Sequence, residues 1–273
     1  MIDLLLEPFG YQYMVKAIWV SALVGGACAF LSCYLMLKGW SLMGDALAHA
    51  IVPGVALAYL LALPYAVGAF LSGILAALAM ALVRVRTKLR EDAVIGIVFT
   101  TFFAIGLLIV SINPTSVNVQ SIVLGNILGI SDEDVVQVAI IAAVSLVVLI
   151  ARWKDMMLVF FDENQARAVG LSPTRMKILF FVLLSACTVA ALQTVGACLV
   201  IAMVVTPGAT AYLLTDRFGR RSVRSVVMGG VTSADEAYAS DFLDGSTGGM
   251  IVVLQTVLFL LAFVFAPKHG RLA

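Results

Sequence analysis

A carboxylate and an imidazole four residues apart on a helix project from one face. Together they make an oxygen-plus-nitrogen half-site for a divalent transition metal. Asp45 and His49 stand at this spacing within Gly44-Asp45-Ala46-Leu47-Ala48-His49-Ala50-Ile51-Val52-Pro53-Gly54, and the other histidine, His269, lies near the end of the chain. Pro53 follows His49 by four residues. It cannot donate to the His49 carbonyl and its ring pushes that carbonyl away, so a kink is expected at Pro53-Gly54, with the carbonyl available as a further ligand or a water contact. Ala46, Ala50, Gly54 and Ala58 form a small-residue stripe beside the pair, where another helix can approach closely. The same residues admit a plainer reading. Asp45 then caps a helix N-terminus and His49 is a core histidine bonded to neighbouring backbone.

The elements that must position this pair lie in a very apolar chain. Of its 273 residues, 62% are hydrophobic and 12% charged, and mean hydropathy is +1.08. A soluble domain of this size could not bury so many apolar residues, and soluble domains carry about twice this share of charge. Net charge is only +1, which leaves no basic face for nucleic acid. Apolar runs long enough to cross a bilayer as helix fall at 12–37, 42–63, 65–84, 93–112, 132–151, 175–194, 196–214, 222–241 and 247–266. They lack the period-two alternation of barrel strands. The expected fold is all-α: one polytopic membrane helix bundle over 1–273 with eight to nine spans, eight if 175–214 holds a broken or half-crossing helix. Cys28, Cys33, Cys187 and Cys198 lie in apolar runs and read as small hydrophobes. Asp3 and Glu7 replace the basic start that a cleavable signal peptide needs.

Basic residues set the expected orientation. With 84–92 in the cytoplasm, the nine spans place Lys38, Arg84, Arg86, Lys88, Arg90, Arg152, Lys154, Arg167, Arg175, Lys177, Arg217, Arg220, Arg221, Arg224, Lys268 and Arg271 on the inner side. Of the 17 Lys and Arg, only Lys16 is left outside. The N-terminus is therefore expected outside and the C-terminus in the cytoplasm.

Three further segments stand out. In the cytoplasmic segment 152–177, Asp162 is placed to cap a short helix, Gly170 to end it, and Pro173 to start the next span. Such a helix lies on the membrane surface, either as a docking element for a soluble partner or as an amphipathic connector. Thr206-Pro207-Gly208 should bend the seventh span, chiefly for packing, with pathway-lining as the alternative. Gln193 and Thr194 read first as interhelical polar contacts. Asp235, Glu236 and Asp241 fall in the eighth span, where a charge costs at least about 2.5–3.5 kcal/mol. They either sit in a wet outer vestibule that attracts cations or mark a shortened span, a natural variant or a damaged copy, and their expected place is the outer end of that helix with no ligand role. Residues 115–131 are expected to form a short outer helix or loop.

The second-span segment Gly44–Gly54 resembles the signature of bacterial permeases in manganese, iron and zinc ABC importers, the ABC-3 family. The segment Asp162-Glu163-Asn164-Gln165-Ala166-Arg167-Ala168-Val169-Gly170-Leu171 is similar to that family's coupling-helix motif. The ending Phe265-Ala266-Pro267-Lys268-His269-Gly270 resembles its manganese/iron members. The likeness implies a permease subunit of the bacterial inner membrane that is not itself an enzyme. It implies a second permease subunit, identical or homologous, and a cytoplasmic ATPase dimer docked at the coupling segment through Asp162, Glu163, Ala166 and Gly170. It also implies an extracytoplasmic metal-binding protein, and Asp45 and His49 as channel ligands for Mn²⁺, Fe²⁺ or Zn²⁺. No permanently bound cofactor is implied. The acids at 235–241 depart from the small or apolar run expected there. The chain has no Gly-x-x-x-x-Gly-Lys-[Ser/Thr] loop of its own, and no His-Glu-x-x-His that would suggest a metalloprotease. The alternative is a cation-coupled secondary transporter using Asp45 and His49 as a proton or metal relay.

Overall fold

The computed structural model describes residues 10–113, 132–196, 200–243 and 247–266. Every regular element among them is helical: α1 Gln12–Lys38, α2 Met43–Ala50, α3 Val52–Leu60, α4 Tyr65–Arg86, α5 Glu91–Ile112, α6 Asp132–Phe161, α7 Glu163–Ala168, α8 Pro173–Val195, α9 Val200–Leu214, α10 Phe218–Leu243 and α11 Thr247–Phe265. Among the described residues, six spans are long and apolar enough to cross a membrane: Gln12–Lys38, Met43–Leu60, Tyr65–Arg84, Asp92–Ile112, Glu133–Phe161 and Pro173–Thr194. Two shorter apolar helices, Val200–Leu214 and Gly249–Phe265, accompany them. The segment 115–131, Cys198, His269 and the rest of the C-terminal motif after Ala266, and Asp3 and Glu7 lie outside the described residues.

α1 is the central post. It packs against α6, α8, α9 and α10, and an unbroken run from Val24 to Leu35 is buried. An all-round apolar helix of this kind belongs inside a bundle. The outer helices do the opposite: Ile105, Leu107 and Leu108 of α5 and Ile140, Val144 and Val147 of α6 stay exposed, as a lipid-facing surface requires. α10 approaches α1 through small residues. A methyl added at Gly25 would meet Ser233 Oγ and the Gly229 carbonyl, and Ser225 Oγ donates to the Ala29 carbonyl at 2.7 Å. Close small-residue contact and side-chain-to-backbone hydrogen bonds are the forces available between helices in lipid. Cys28, Cys33 and Cys187 are free and buried.

Two elements differ from the sequence expectation. α6 runs on to Phe161, ten residues past the apolar run, because nothing in 152–161 breaks a helix and Met156, Val159 and Phe160 find burial in the core. Arg152 and Asp155 form an i,i+3 pair at 3.1 Å on its polar side. Glu236 is not in a wet vestibule: it is only 4% exposed, while Asp235 is exposed. It lies three residues after Ser233 on the helix face that already packs on α1, so helical phase carries it inward. Ser233 Oγ, Glu236 Oε1 and Gln255 Oε1 are buried without a partner, although Gln255 donates to Thr232 Oγ1 at 3.1 Å. Asp241 belongs to α10, and its side chain is not described.

Candidate functional site

Gly39 ends α1 in the left-handed region, at φ +72, and the Trp40 N–H returns to the Leu35 carbonyl. The chain thereby turns, buries Trp40, and starts α2 three residues later. α2 and α3 are one span in two pieces, separated at Ile51. The break falls just before Pro53, where a ring without an N–H interrupts the helical ladder. Ser72 of α4 donates to the Ala50 carbonyl at 2.7 Å and so satisfies an acceptor at the break. Pro53 and Gly54 are buried. The Gly54 and Gly68 backbones touch, since a methyl at either position would lie within 2.2 Å of the other's carbonyl oxygen. Gly106 of α5 fits against Val52 and Pro53 from another side.

On this span Asp45 Oδ1 and His49 Nε2 are 3.4 Å apart. Asp45 sits in the first turn of α2 but makes no capping hydrogen bond, and the imidazole faces Asp45. The side chains are 31% and 24% exposed, respectively, on a helix whose other residues are all buried. The rings of Phe99 and Phe103 on α5 flank His49 at 5.8 and 5.2 Å. Sequence reasoning did not single out these two phenylalanines, because α5 is apolar all round and its phase gives no signal. No third His, Cys, Asp or Glu joins the pair among the described residues. The described residues therefore offer one carboxylate and one imidazole on a partly open face.

The segment 152–177 builds a second locus. The Asp162 side chain accepts from the Asn164 and Gln165 N–H groups at 2.8 and 3.1 Å, capping α7. At the other end the Leu171 N–H returns to the Ala166 carbonyl and the Gly170 N–H to Arg167, with Gly170 at φ +86. This is a Schellman stop, which glycine adopts without Cβ strain. Ala166 is buried, so the short helix is seated in the bundle through its middle. Glu163 ties it down: its carboxylate accepts from Lys177 of α8 at 2.5 Å and lies 3.8 Å from Lys38 at the end of α1. Burial pushes the Glu163 carboxyl up, but the Lys177 hydrogen bond, with the charges of Lys177, Lys38 and Arg84, outweighs it and holds the group below its ordinary value. The two lysines were not legible as partners because they are distant in sequence. Beneath α7, Phe160 meets Trp40 edge-on at 5.7 Å and Trp40 stacks on Phe181 at 5.7 Å. The aromatic contacts thus connect the α6–α7 junction to the turn that starts α2.

Pro207 and Gly208 lie buried within α9 and are not brought to the Asp45–His49 pair. They face α1, where Ser32 Oγ accepts from the Gly208 N–H at 3.0 Å and donates to the Val205 carbonyl at 2.9 Å. Thr194 Oγ1 donates to the Ala191 carbonyl of its own helix, and Gln193 Oε1 is buried without a partner.

The described residues thus form a helical bundle with several candidate membrane spans, a polar pair on a broken span and a short capped helix. The profile of the ABC 3 transport family matches residues 10–266, and the chain belongs to that family. It is 72% identical over 273 residues to the chelated iron transport system membrane protein YfeC of Yersinia pestis, covering all of this chain and 93% of that protein. It is 51% identical over 272 residues to the manganese transport system membrane protein MntB of Synechocystis sp., covering 98% and 88%. The solved structure of PsaBC from Streptococcus pneumoniae in complex with Fab matches with a TM-score of 0.88 at 31% identity, covering 98% of both chains. Relatives of this family are transport-system membrane proteins, so the chain is a transport subunit and not an enzyme.

Proposed function

We propose that the chain carries Mn²⁺ or Fe²⁺ inward across the bacterial inner membrane as the permease of an ATP-driven importer, with Asp45 and His49 as its ligands in transit. The observation that carries this reading is the partly exposed Asp45–His49 pair at 3.4 Å, with no third ligand from the described residues of the same chain. Two permease subunits facing one another would supply two carboxylates and two imidazoles, enough to replace much of the hydration shell of a divalent ion. The same donor set accepts Zn²⁺, so metal preference rests partly on an extracytoplasmic metal-binding protein. With nine crossings, the N-terminus lies outside and the C-terminus in the cytoplasm, an arrangement supported by the basic residues, all but one of which it keeps inside.

ATP hydrolysis belongs to a separate ATPase dimer seated on the coupling segment, where Asp162 and Gly170 define the ends of α7 and Glu163 and Ala166 fix it to the bundle. Motion of α7 passes through Phe160 and Trp40 to the start of α2. The Pro53-Gly54 break lets α2 move relative to α3, and Pro207-Gly208 gives α9, which packs on α2 at Gly44 and Val204, a second flexible point. The test is uptake of radiolabelled Mn²⁺ and Fe²⁺ by the full complex in cells lacking their own importers. Asp45→Ala and His49→Ala are each expected to lower uptake by tenfold or more. Wild-type uptake in both variants would remove the metal site. Uptake that survives loss of the ATPase subunit would favour a cation-coupled carrier.

A further inference from the structure

A cavity of about 470 Å³ opens between α4, α5, α7 and α8. One end of it is charged: Arg84 in the last turn of α4, Arg167 of α7 and Lys177 in the first turn of α8 line it, against one acid, Glu163. Lys177 is engaged by Glu163, and the Arg84 guanidinium lies over the Trp40 ring at 5.6 Å. The other end is apolar. Ile74, Leu78, Ile178 and Val182 form its wall, and Leu78 and Ile178 remain exposed on helices whose outer faces meet lipid. The cavity therefore straddles the boundary where a span leaves hydrocarbon for water.

The geometry points to a binding site for an anionic phospholipid. Guanidinium and ammonium groups gathered at the end of two spans recognise a lipid phosphate. The adjoining wall of Ile74, Leu78, Ile178 and Val182 gives an acyl chain an apolar surface beside that charged end. A soluble anion would use only the charged half of this cavity. A zwitterionic lipid would bring its own cation among the arginines. The lipid phosphate sits among Arg84, Arg167 and Lys177, and one chain runs between α4 and α8 along Leu78 and Ile178. The site is wedged between the α7 helix and Trp40-Met43, the start of the helix that bears Asp45 and His49. It does not depend on the metal assignment.

The experiment is native mass spectrometry of the delipidated full complex, titrated with phosphatidylglycerol, with phosphatidylcholine of the same chains, and with inorganic phosphate. Phosphatidylglycerol is expected to bind at least tenfold more tightly than phosphatidylcholine, and inorganic phosphate not at all. Arg84→Gln combined with Arg167→Gln should erase that preference. Ala81→Trp, which fills the cavity from α4 and removes no charged group, should lower phosphatidylglycerol binding at least fivefold. Arg152→Gln, on an exposed pair outside the cavity, should leave it unchanged and shows that charge loss elsewhere is not responsible. Equal binding of the two lipids overturns the proposal, as does phosphate binding as well as phosphatidylglycerol. Undiminished lipid binding by Ala81→Trp, with the variant complex intact by mass, also overturns it.

Discussion

Gly54→Ala tests how the broken span is held. The added methyl carbon would lie 2.0 Å from the Gly68 carbonyl oxygen, 2.6 Å from its carbon and 2.6 Å from Ser72 Cβ. None of these atoms ends a flexible side chain, so the clash cannot be relieved by a rotamer change. Ordinary contact begins near 3.4 Å, which obliges α3 and α4 to part by about 1.4 Å. Forced overpacking of this kind costs on the order of 1–3 kcal/mol. A melting temperature lower by about 5 °C is the corresponding reading for a chain of this size. The separation also stretches the 2.7 Å bond from Ser72 to Ala50 that closes the break below His49, so metal uptake should fall with stability. Gly96→Ala is the control. Nothing lies within 4 Å of a methyl at Gly96 in α5, and alanine in a helix interior gains about 1 kcal/mol over glycine. Thermal unfolding of both purified variants in one detergent should therefore move in opposite directions. Equal shifts, or a Gly54→Ala protein that melts like wild type, would refute the contact between α3 and α4.

Other consequences are equally direct. Lys177→Ala removes the shortest tie on Glu163, worth about 0.2–1 kcal/mol for a partly exposed pair, and should raise the ATP consumed per ion taken up in reconstituted vesicles. Because the folded Glu163 value lies below its ordinary one, the contribution of the pair is complete above about 4.5 and is lost as pH falls through the lower folded value. Coupling should thus be flat from pH 6 to 8 as far as Glu163 is concerned, which a pH series of the ATP-to-ion ratio would check. Ser32→Ala leaves the Val205 carbonyl and the Gly208 N–H beside Pro207 without their shared partner, a loss of about 1–3 kcal/mol seen as a lower melting temperature. Glu236→Ala removes a buried carboxyl oxygen that has no partner and should raise the melting temperature by the equivalent of about 1–2 kcal/mol, with uptake unchanged.

Local chemistry was largely legible in the sequence, and tertiary chemistry was not. The ends of α7 follow from Asp162 and Gly170 because caps involve residues a few positions apart. The i,i+4 geometry of Asp45 and His49 follows from helical phase. The break in their span was expected at Pro53 and falls at Ile51, where Ser72 from another helix supplies a hydrogen bond. Hydropathy ended the fifth span at 151, but α6 continues because burial of Met156, Val159 and Phe160 stabilises a polar-faced helix that its composition does not reveal. The acids of the eighth span were grouped by proximity in sequence. A helix separates neighbours by about 100°, so Asp235 faces out and Glu236 faces in. Lys38 and Lys177 meet Glu163 only because α1 and α8 end side by side.

The uninterrupted course of α6 fixes more than a position. Its 30 residues contain no proline or glycine and amount to about 45 Å of rod that ends at the Asp162 cap. Inserting one residue anywhere along it would turn everything beyond by about 100° and swing Glu163 away from Lys38 and Lys177. Inserting seven would restore the angle to within about 20° but lift α7 by about 10 Å, out of reach of the same lysines. The helix therefore acts as protractor and ruler together, and neither a short nor a periodic change in its length leaves α7 where the two lysines can hold it.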